Sequence, residues 1–449
     1  MVSQILFIIL FLITVIIAWK LYSRVISNIK LGLQDKPGPN KGKRWKNMLL
    51  VALGQGKMFT KPVSALFHLF IYIAFIVTQI ELIEFIADGV LGTHRIFADD
   101  LGFFYTIVIN SIEFLSVFAL IATIIFLSRR NVIRVKRFHS AEMTRWPKSD
   151  ANLILIGEIL LIIAIFSMNG ADSVLQSLEP SKYHDTGTLL ASSLVGESLF
   201  SIMSVQTLHI IERFGWWLHI LVVFGFILYL PISKHLHIIF AFINTWWHHQ
   251  RSRGEMKNMP EIMNEVKSMM GLTEEVPAEG DIPDFGANDV FSLSRKSLLD
   301  AYTCTECGRC TSVCPANQTG KKLSPRKVIM DIRDRMEEVG KKIATGDEKF
   351  IKKEMANEKP VLNAASFDDG KSLFDYVTSE EIFACTTCNA CVEICPVMID
   401  PLEPILQMRR YEILTNSAGP QDWVPMFTSM ENSGSVWQLA DLRTQWTKE

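Results

Sequence analysis

Eight cysteines form two runs of one pattern: Cys304, Cys307, Cys310 and Cys314 followed by Pro315, then Cys385, Cys388, Cys391 and Cys395 followed by Pro396. Three thiolates separated by two-residue gaps can wrap one face of an iron–sulfur cubane. The fourth, one residue further off and followed by proline, turns toward the other cluster. The spacing therefore predicts two [4Fe–4S] clusters with crossed ligands: Cys304, Cys307, Cys310 and Cys395 on one, Cys385, Cys388, Cys391 and Cys314 on the other. Structural zinc is the other use of grouped cysteines, but it usually takes two separated ligand pairs. Two groups of four in 449 residues do not look like a secreted disulfide framework and point to thiolates kept in a reducing compartment.

Histidine supplies a second kind of iron ligand. His68 lies in an apolar stretch near 62–86, and His219 and His237 lie in another near 214–240. On one continuous helix His219 and His237, five whole turns apart, share a face and stand ~27 Å apart along the axis. His235 then falls nearly opposite His237 and is expected to bond a neighbouring helix or the interface. If the two stretches cross a membrane antiparallel, His68 and His237 reach one depth, where two imidazoles from facing helices can clamp the iron of a haem b. A second haem would use His219, but the stretch beyond His68 that should hold its partner offers Thr78, Gln79 and Glu81 and no histidine. His94 lies past the end of that stretch, so one haem is expected. Glu81, Glu84, Glu113 and Glu158 also fall within apolar stretches; such acids line quinone pockets or proton paths, or bond a neighbouring helix.

The elements that must position these residues follow from hydropathy. Five apolar stretches, near 4–22, 62–86, 101–127, 151–168 and 214–240, approach the ~20 residues that cross ~30 Å of hydrocarbon. No positive residue precedes the first and no small-residue cleavage site follows it, so it reads as a span rather than a signal peptide. Lys30, Lys36, Lys41, Lys43, Arg44, Lys46, Lys57 and Lys61 crowd the first loop; Arg129, Arg130, Arg134, Lys136, Arg137, Arg145 and Lys148 crowd the third. The other loops hold only Arg95, and Lys182 with Arg213. The positive-inside rule puts the crowded loops in the cytoplasm, the N-terminus outside and the cysteine half inside, in the cell's inner (cytoplasmic) membrane.

Charge divides the chain in the same place. Residues 1–250 carry 21 Lys+Arg against 15 Asp+Glu, and the remainder 24 against 32. With 49% hydrophobic residues this excludes a wholly soluble or disordered protein. Short basic runs between apolar stretches are not a nucleic-acid surface. The expected organisation is a membrane domain over 1–250, a linker over 251–290 centred on the acidic stretch 271–290, a two-cluster domain over 291–415 and a tail over 416–449. Between the cysteine runs, after Ser324 and Pro325, Val328, Ile329, Ile332, Met336, Val339 and Ile343 recur at helical spacing. The fold class is all-α: a five-helix transmembrane haem b bundle followed by an α-helical ferredoxin domain.

The runs CTECGRCTSVCPANQTGKKLSP (304–325) and CTTCNACVEICPV (385–397) resemble the two-cluster subunit of heterodisulfide reductase and its relatives. The segments KPVSALFHLFIYIAF (61–75) and WWLHILVVFGFILYLPISKHLHII (216–239) resemble that family's haem b subunit, itself similar to the gamma subunit of respiratory nitrate reductase. The resemblance implies haem ligation at His68 and His237, and a helical ferredoxin fold shared with succinate dehydrogenase iron–sulfur subunits. The cysteine-rich CCG motifs that carry the family's catalytic cluster are missing from this sequence, so the disulfide chemistry does not transfer. Fused relatives would continue after Glu431 to Gly434 and Arg443 to Trp446, and the catalytic unit is expected on a separate chain.

The function expected is single-electron transfer between a cytoplasmic partner, a CCG-type cysteine-rich subunit or a flavoprotein, and the quinone pool. The alternative is a cytochrome oxidase accessory ferredoxin that reduces a metal during assembly. That family lacks this histidine pattern, and no cysteine lies in the spans here to handle a metal.

Overall fold

The computed structural model describes residues 1–183, 186–252, 254–272, 285–351, 353–356, 359–362, 366–437 and 445–447. Five helices, Val2–Ile29, Pro62–Leu91, Phe103–Asn131, Arg145–Leu178 and Val205–Tyr229, form the membrane bundle. All five are long and apolar enough to cross a bilayer. They outrun the apolar stretches because polar residues inside them have partners. The fourth, expected over 151–168, continues through Asp150, Asn169 and Asp172; Ser233 and Tyr229 bond the first, and Arg95 bonds the other two. Pro62 opens the second span and Gly92, at φ +75°, closes it. Outward faces are apolar, with Ile73, Ile76, Ile80 and Ile83 of the second span exposed, as lipid contact requires. Inside, Phe7 of the first span is fully buried against Trp216 and Phe224 of the fifth. The second span passes so close that a Cβ on Gly89 would lie 2.5 Å from the Phe7 ring.

One expectation fails here. The segment 214–240 is not a single helix: the fifth span ends at Tyr229, and a 3₁₀ turn at Leu230–Ile232, extended Ser233 and a second 3₁₀ turn at Lys234–Leu236 precede a new helix, His237–Trp246. Pro231 begins the break. His219 and His237 therefore do not share a helix face. His235 does not face away from His237 either, since at three residues per turn their rings come within 5.8 Å.

The cysteine half is helical, as expected, around Arg295–Thr303, Pro325–Thr345 and Leu402–Arg410. The central helix starts and stops on local signals: Ser324 Oγ accepts from Lys327 N, Pro325 takes the first position, and Gly346 ends it at φ +63°. A small antiparallel hairpin, Lys353–Ala356 with Lys359–Leu362, interrupts the all-helical pattern inside the insert. Helix also forms within the stretch read as tail, at Trp423–Ser433. Residues 273–284 of the stretch read as linker, and Arg443 and Thr444, lie outside the described residues. The linker's end is not loose: Ala287 and Val290 are buried in the domain core.

That core does not stop at the membrane. Val25 of the first span and Leu236 and Phe240 beyond the fifth pack with Leu298, Val328, Ile332, Met336 and Ile405. Asn28 Nδ2 donates to Tyr302 Oη at 2.8 Å, and Leu33 trades backbone bonds with Leu293 and Arg295 at 2.8 and 2.9 Å. The first and third loops meet the cysteine half too, so the Lys/Arg-rich loops and the clusters' domain share one side of the bundle. Arg309 donates to Lys57 O and Thr60 Oγ1, and Arg326 to Arg137 O and Glu142.

Arg335 pins the domain's far side. Its guanidinium, fully buried, donates to Asp289, to Asp369 at 2.7 and 2.9 Å, and to Lys371 O at 2.8 Å. Arg335→Met keeps the volume but removes the cation from Asp289 and leaves Asp369 only its pair with Lys342, a loss of about 3–5 kcal/mol for a broken buried pair. Urea titration of the detergent-solubilised chain, followed through its iron–sulfur absorbance, checks this; an unmoved midpoint would show the acids resolvated.

Candidate functional site

Each cysteine run is a loop closed by a short helix, Arg309–Val313 in the first and Ala390–Ile394 in the second. The backbones match position for position in left-handed conformations that side-chain-bearing residues seldom adopt: Glu306 and Thr387 at φ +53° and +56°, Gly308 and Asn389 at +70° and +61°. These turns aim amides at sulfur, Glu306 N to Cys304 Sγ at 3.4 Å and Thr387 N to Cys385 Sγ at 3.5 Å. Ile399 N reaches Cys395 Sγ at 3.3 Å. Hydrogen bonds to sulfur are among the groups that set a cluster's potential.

A cavity is lined by Cys304, Cys307, Cys310 and Cys395, with Arg309 and Arg326 in its wall. The fourth cysteine of the second run has thus joined the first three of the first. Reciprocally, Cys314 comes within electrostatic reach of Cys385 and Cys391. Among the described residues no three His, Cys, Asp or Glu side chains converge closely enough to share one ion. Four thiols around one cavity suit the corners of a cubane. Burial pushes the Cys304 and Cys395 thiols up to about 12, so in the iron-free chain they are protonated and iron must displace the protons. Cys388 is exposed, which puts the second set at the protein surface, while the first set faces the membrane bundle.

His68, His235 and His237 come together at the bundle's end on the cluster side, within electrostatic reach of one another; Arg309 of the first cysteine run reaches His68 as well. His237 Nδ1–H donates to Lys234 O at 3.0 Å. A carbonyl can only accept, so the proton sits on Nδ1 and the Nε2 lone pair is free for a metal. His68 Nδ1 and, one turn on, Tyr72 Oη are buried with no hydrogen-bond partner among the described residues. His237, with its ring oriented, and His68, with its Nδ1 orphaned, are the residues that would hold a haem iron there. His235 Nε2 stands 3.9 Å from Glu158 Oε1 on the fourth span, too far for a hydrogen bond, and its Nδ1 is also buried without a hydrogen-bond partner among the described residues. His219 is held elsewhere, stacked on Phe85 at 4.7 Å, its Nδ1 also unpartnered.

The acids separate by role. Glu84 accepts from Tyr105 Oη at 2.7 Å and Phe97 N at 3.1 Å, and Glu113 accepts from Ala191 N and Ser192 N. Glu158 accepts from Thr123 Oγ1 at 3.1 Å. Glu81 and Glu84 line a cavity at the opposite end of the bundle, together with Asp88, His94, Asp172 and Glu212. Arg95 organises it, donating to Asp172 at 2.7 Å, Asn169 at 2.7 Å and Tyr105 at 3.1 Å. Sequence reasoning missed the roles of Arg95, Asp172, Glu212, Arg309, Arg326, Lys234 and Glu306. The available signal was charge in unexpected company: an arginine alone among acids after the second span, and a lysine between Pro231 and two histidines.

Residues 303–399 match the family model of the 4Fe-4S dicluster domain. The chain is similar to a probable iron-sulfur-binding oxidoreductase, FadF, of Bacillus subtilis, 28% identical over 94% of this chain and 58% of the relative. It is also similar to the EtfAB:quinone oxidoreductase of Syntrophomonas wolfei, 25% identical over 86% of this chain and 51% of that one. A third relative, from Methanosarcina acetivorans, is one subunit of a ferredoxin/F420H2-dependent CoB-CoM heterodisulfide reductase, 27% identical over 28% of this chain and 55% of its own. No solved structure matches. The chain carries a helical 4Fe-4S dicluster domain beside five helices apolar enough to cross a membrane, and it is similar to proteins named iron–sulfur oxidoreductases and to a heterodisulfide reductase subunit. The chain spans between half and three-fifths of the length of the first two relatives.

Proposed function

We propose that the chain passes single electrons between a soluble redox partner and the quinone pool. Cys304, Cys307, Cys310 and Cys395 hold one [4Fe–4S] cluster, Cys385, Cys388, Cys391 and Cys314 the other, and His68 and His237 hold a haem b. When bound, these groups supply one-electron transfer, while the chain spaces, buries and orients them. The observation that carries the reading is adjacency: Arg309, in the wall of the Cys304 cavity, donates to Lys57 O and Thr60 Oγ1, so the loop leading into the His68 span abuts the first cysteine set. Exposed Cys388 puts the second set where a partner can dock. A cytoplasmic flavoprotein or cysteine-rich subunit suits that surface, and the Lys/Arg-rich loops on the same side support a cytoplasmic location by the positive-inside rule. A relative named EtfAB:quinone oxidoreductase supports quinone as the membrane partner.

The test uses the full chain in proteoliposomes containing a long-chain quinone, with the clusters reduced from outside by dithionite. Reoxidation of the iron–sulfur absorbance should depend on quinone and be lost in His68→Ala and His237→Ala. Equal reoxidation in those variants would show that electrons do not pass by the histidines.

A further inference from the structure

One residue is bonded to both ends of the junction between the cysteine half and the membrane histidines. Lys234 lies in the 3₁₀ turn below the fifth span. Its backbone carbonyl accepts the Nδ1 proton of His237 at 3.0 Å. Its Nζ donates to the Glu306 carboxylate and to Pro147 O, the latter at 2.7 Å. Glu306 stands between Cys304 and Cys307, in the left-handed conformation that turns its amide to Cys304 Sγ. The other Glu306 oxygen takes Arg333 Nη1 at 2.9 Å. The turn carrying Lys234 is fastened by a single acid, since Asp150 accepts from Tyr229 Oη, Ser233 Oγ and Lys234 N at 2.7, 2.7 and 3.1 Å.

Every member of this chain of alternating charge is withdrawn from water, Lys234 at 9% exposure and Glu306 at 3%. A buried ion pair is a poor way to add stability, because apolar side chains of similar volume do as well or better. What it provides is a fixed geometry and a fixed field. A carbonyl or carboxylate that holds the far nitrogen of a ligating imidazole sets its tautomer, its rotation and its basicity. Charge beside a cluster shifts its potential.

We infer that Lys234 is a positioning residue that couples the two redox sites, its carbonyl aiming the His237 imidazole while its ammonium, held by Glu306, sets the charge beside the Cys304–Cys307 loop. This rests on the haem reading above and goes beyond it, since adjacency alone requires no shared residue. Loss of the lysine charge leaves Glu306 less compensated, which opposes electron uptake by the neighbouring cluster. Loss of the glutamate charge does the reverse. Either change also removes one of the bonds that hold the turn, beside those made by Asp150, so the His237 ring shifts in both cases.

The test is redox titration of the purified full chain, followed by the EPR of the clusters and of ferric haem, in Lys234→Met, Glu306→Gln and Lys234→Arg. We expect the potential of the Cys304-set cluster to fall in K234M and rise in E306Q, each by about tenfold in the reduction equilibrium, about 59 mV for a one-electron couple. The low-spin haem signal should shift or broaden in both, and K234R should restore wild-type values. Potentials unmoved, or moved in the same direction, at wild-type iron and haem content would overturn the coupling. So would a haem signal identical to wild type in K234M. Should K234M fail to assemble, E306Q against K234R carries the same comparison. Absence of haem from an iron-loaded wild-type chain would sink the haem reading itself, and is scored by haem extraction before any variant is compared.

Discussion

His237→Ala and His68→Ala are each expected to yield a folded, iron-loaded chain without a b-type α band in the dithionite-reduced minus oxidised spectrum. The wild-type chain should show that band at one haem per polypeptide. Both imidazoles would be needed for the low-spin iron that gives the band, and with one gone the iron would keep a single histidine. His237 enters this role already prepared, its Nδ1–H committed to Lys234 O at 3.0 Å. His68 has no competing hydrogen bond at Nδ1. His235, whose ring lies 5.8 Å from that of His237, is the internal control. His235→Ala should keep haem, since its Nε2 is directed toward Glu158. A haem content that falls in H235A and survives in H237A would reverse the assignment, and haem in all three variants would place it elsewhere, His219 being the next candidate.

Cys314→Ser and Cys395→Ser should each remove one cluster, and each the cluster of the other run. Iron should fall from about eight atoms per chain to about four in both. In C314S the surviving EPR signal should be that of the Cys304 set, and in C395S that of the Cys385 set, with the magnetic interaction between clusters gone. The basis is the Cys304 cavity, which includes Cys395, and the approach of Cys314 to Cys385 and Cys391. The two survivors can be told apart by surroundings: Cys388 is exposed, so the C314S protein keeps the more protected cluster and should lose it more slowly to an added iron chelator. Uncrossed ligation predicts the opposite order of chelator sensitivity, which makes the pair of variants decisive.

Much of this protein was legible in its residue order because the deciding physics is local. Cluster ligation is written in spacing, since a cubane accepts thiolates only at certain separations, and both runs repeat that spacing with proline behind them. Five spans follow from the absence of a water substitute in lipid, which forces about 20 apolar residues into each crossing. The helix Pro325–Thr345 follows from its cap, its proline and its apolar repeat.

Tertiary packing decided the rest, wherever a distant group changed what a residue costs. Pro231 breaks the fifth segment, yet the geometry of the break depends on Asp150, a residue of another helix that bonds Tyr229, Ser233 and Lys234. A helical wheel drawn through that break put His235 and His237 on opposite sides, because 3.6 residues per turn was applied where 3₁₀ turns hold. Arg95 looked like a lone outer-loop cation, and its meaning came only from Asp172 and Asn169 of the fourth span, at 2.7 Å each. Lys234 and Glu306 are 72 residues apart, and no periodicity relates them. Ligand identity is a matter of chain spacing and element type, whereas the field around a ligand is made by residues that meet only when the chain has folded.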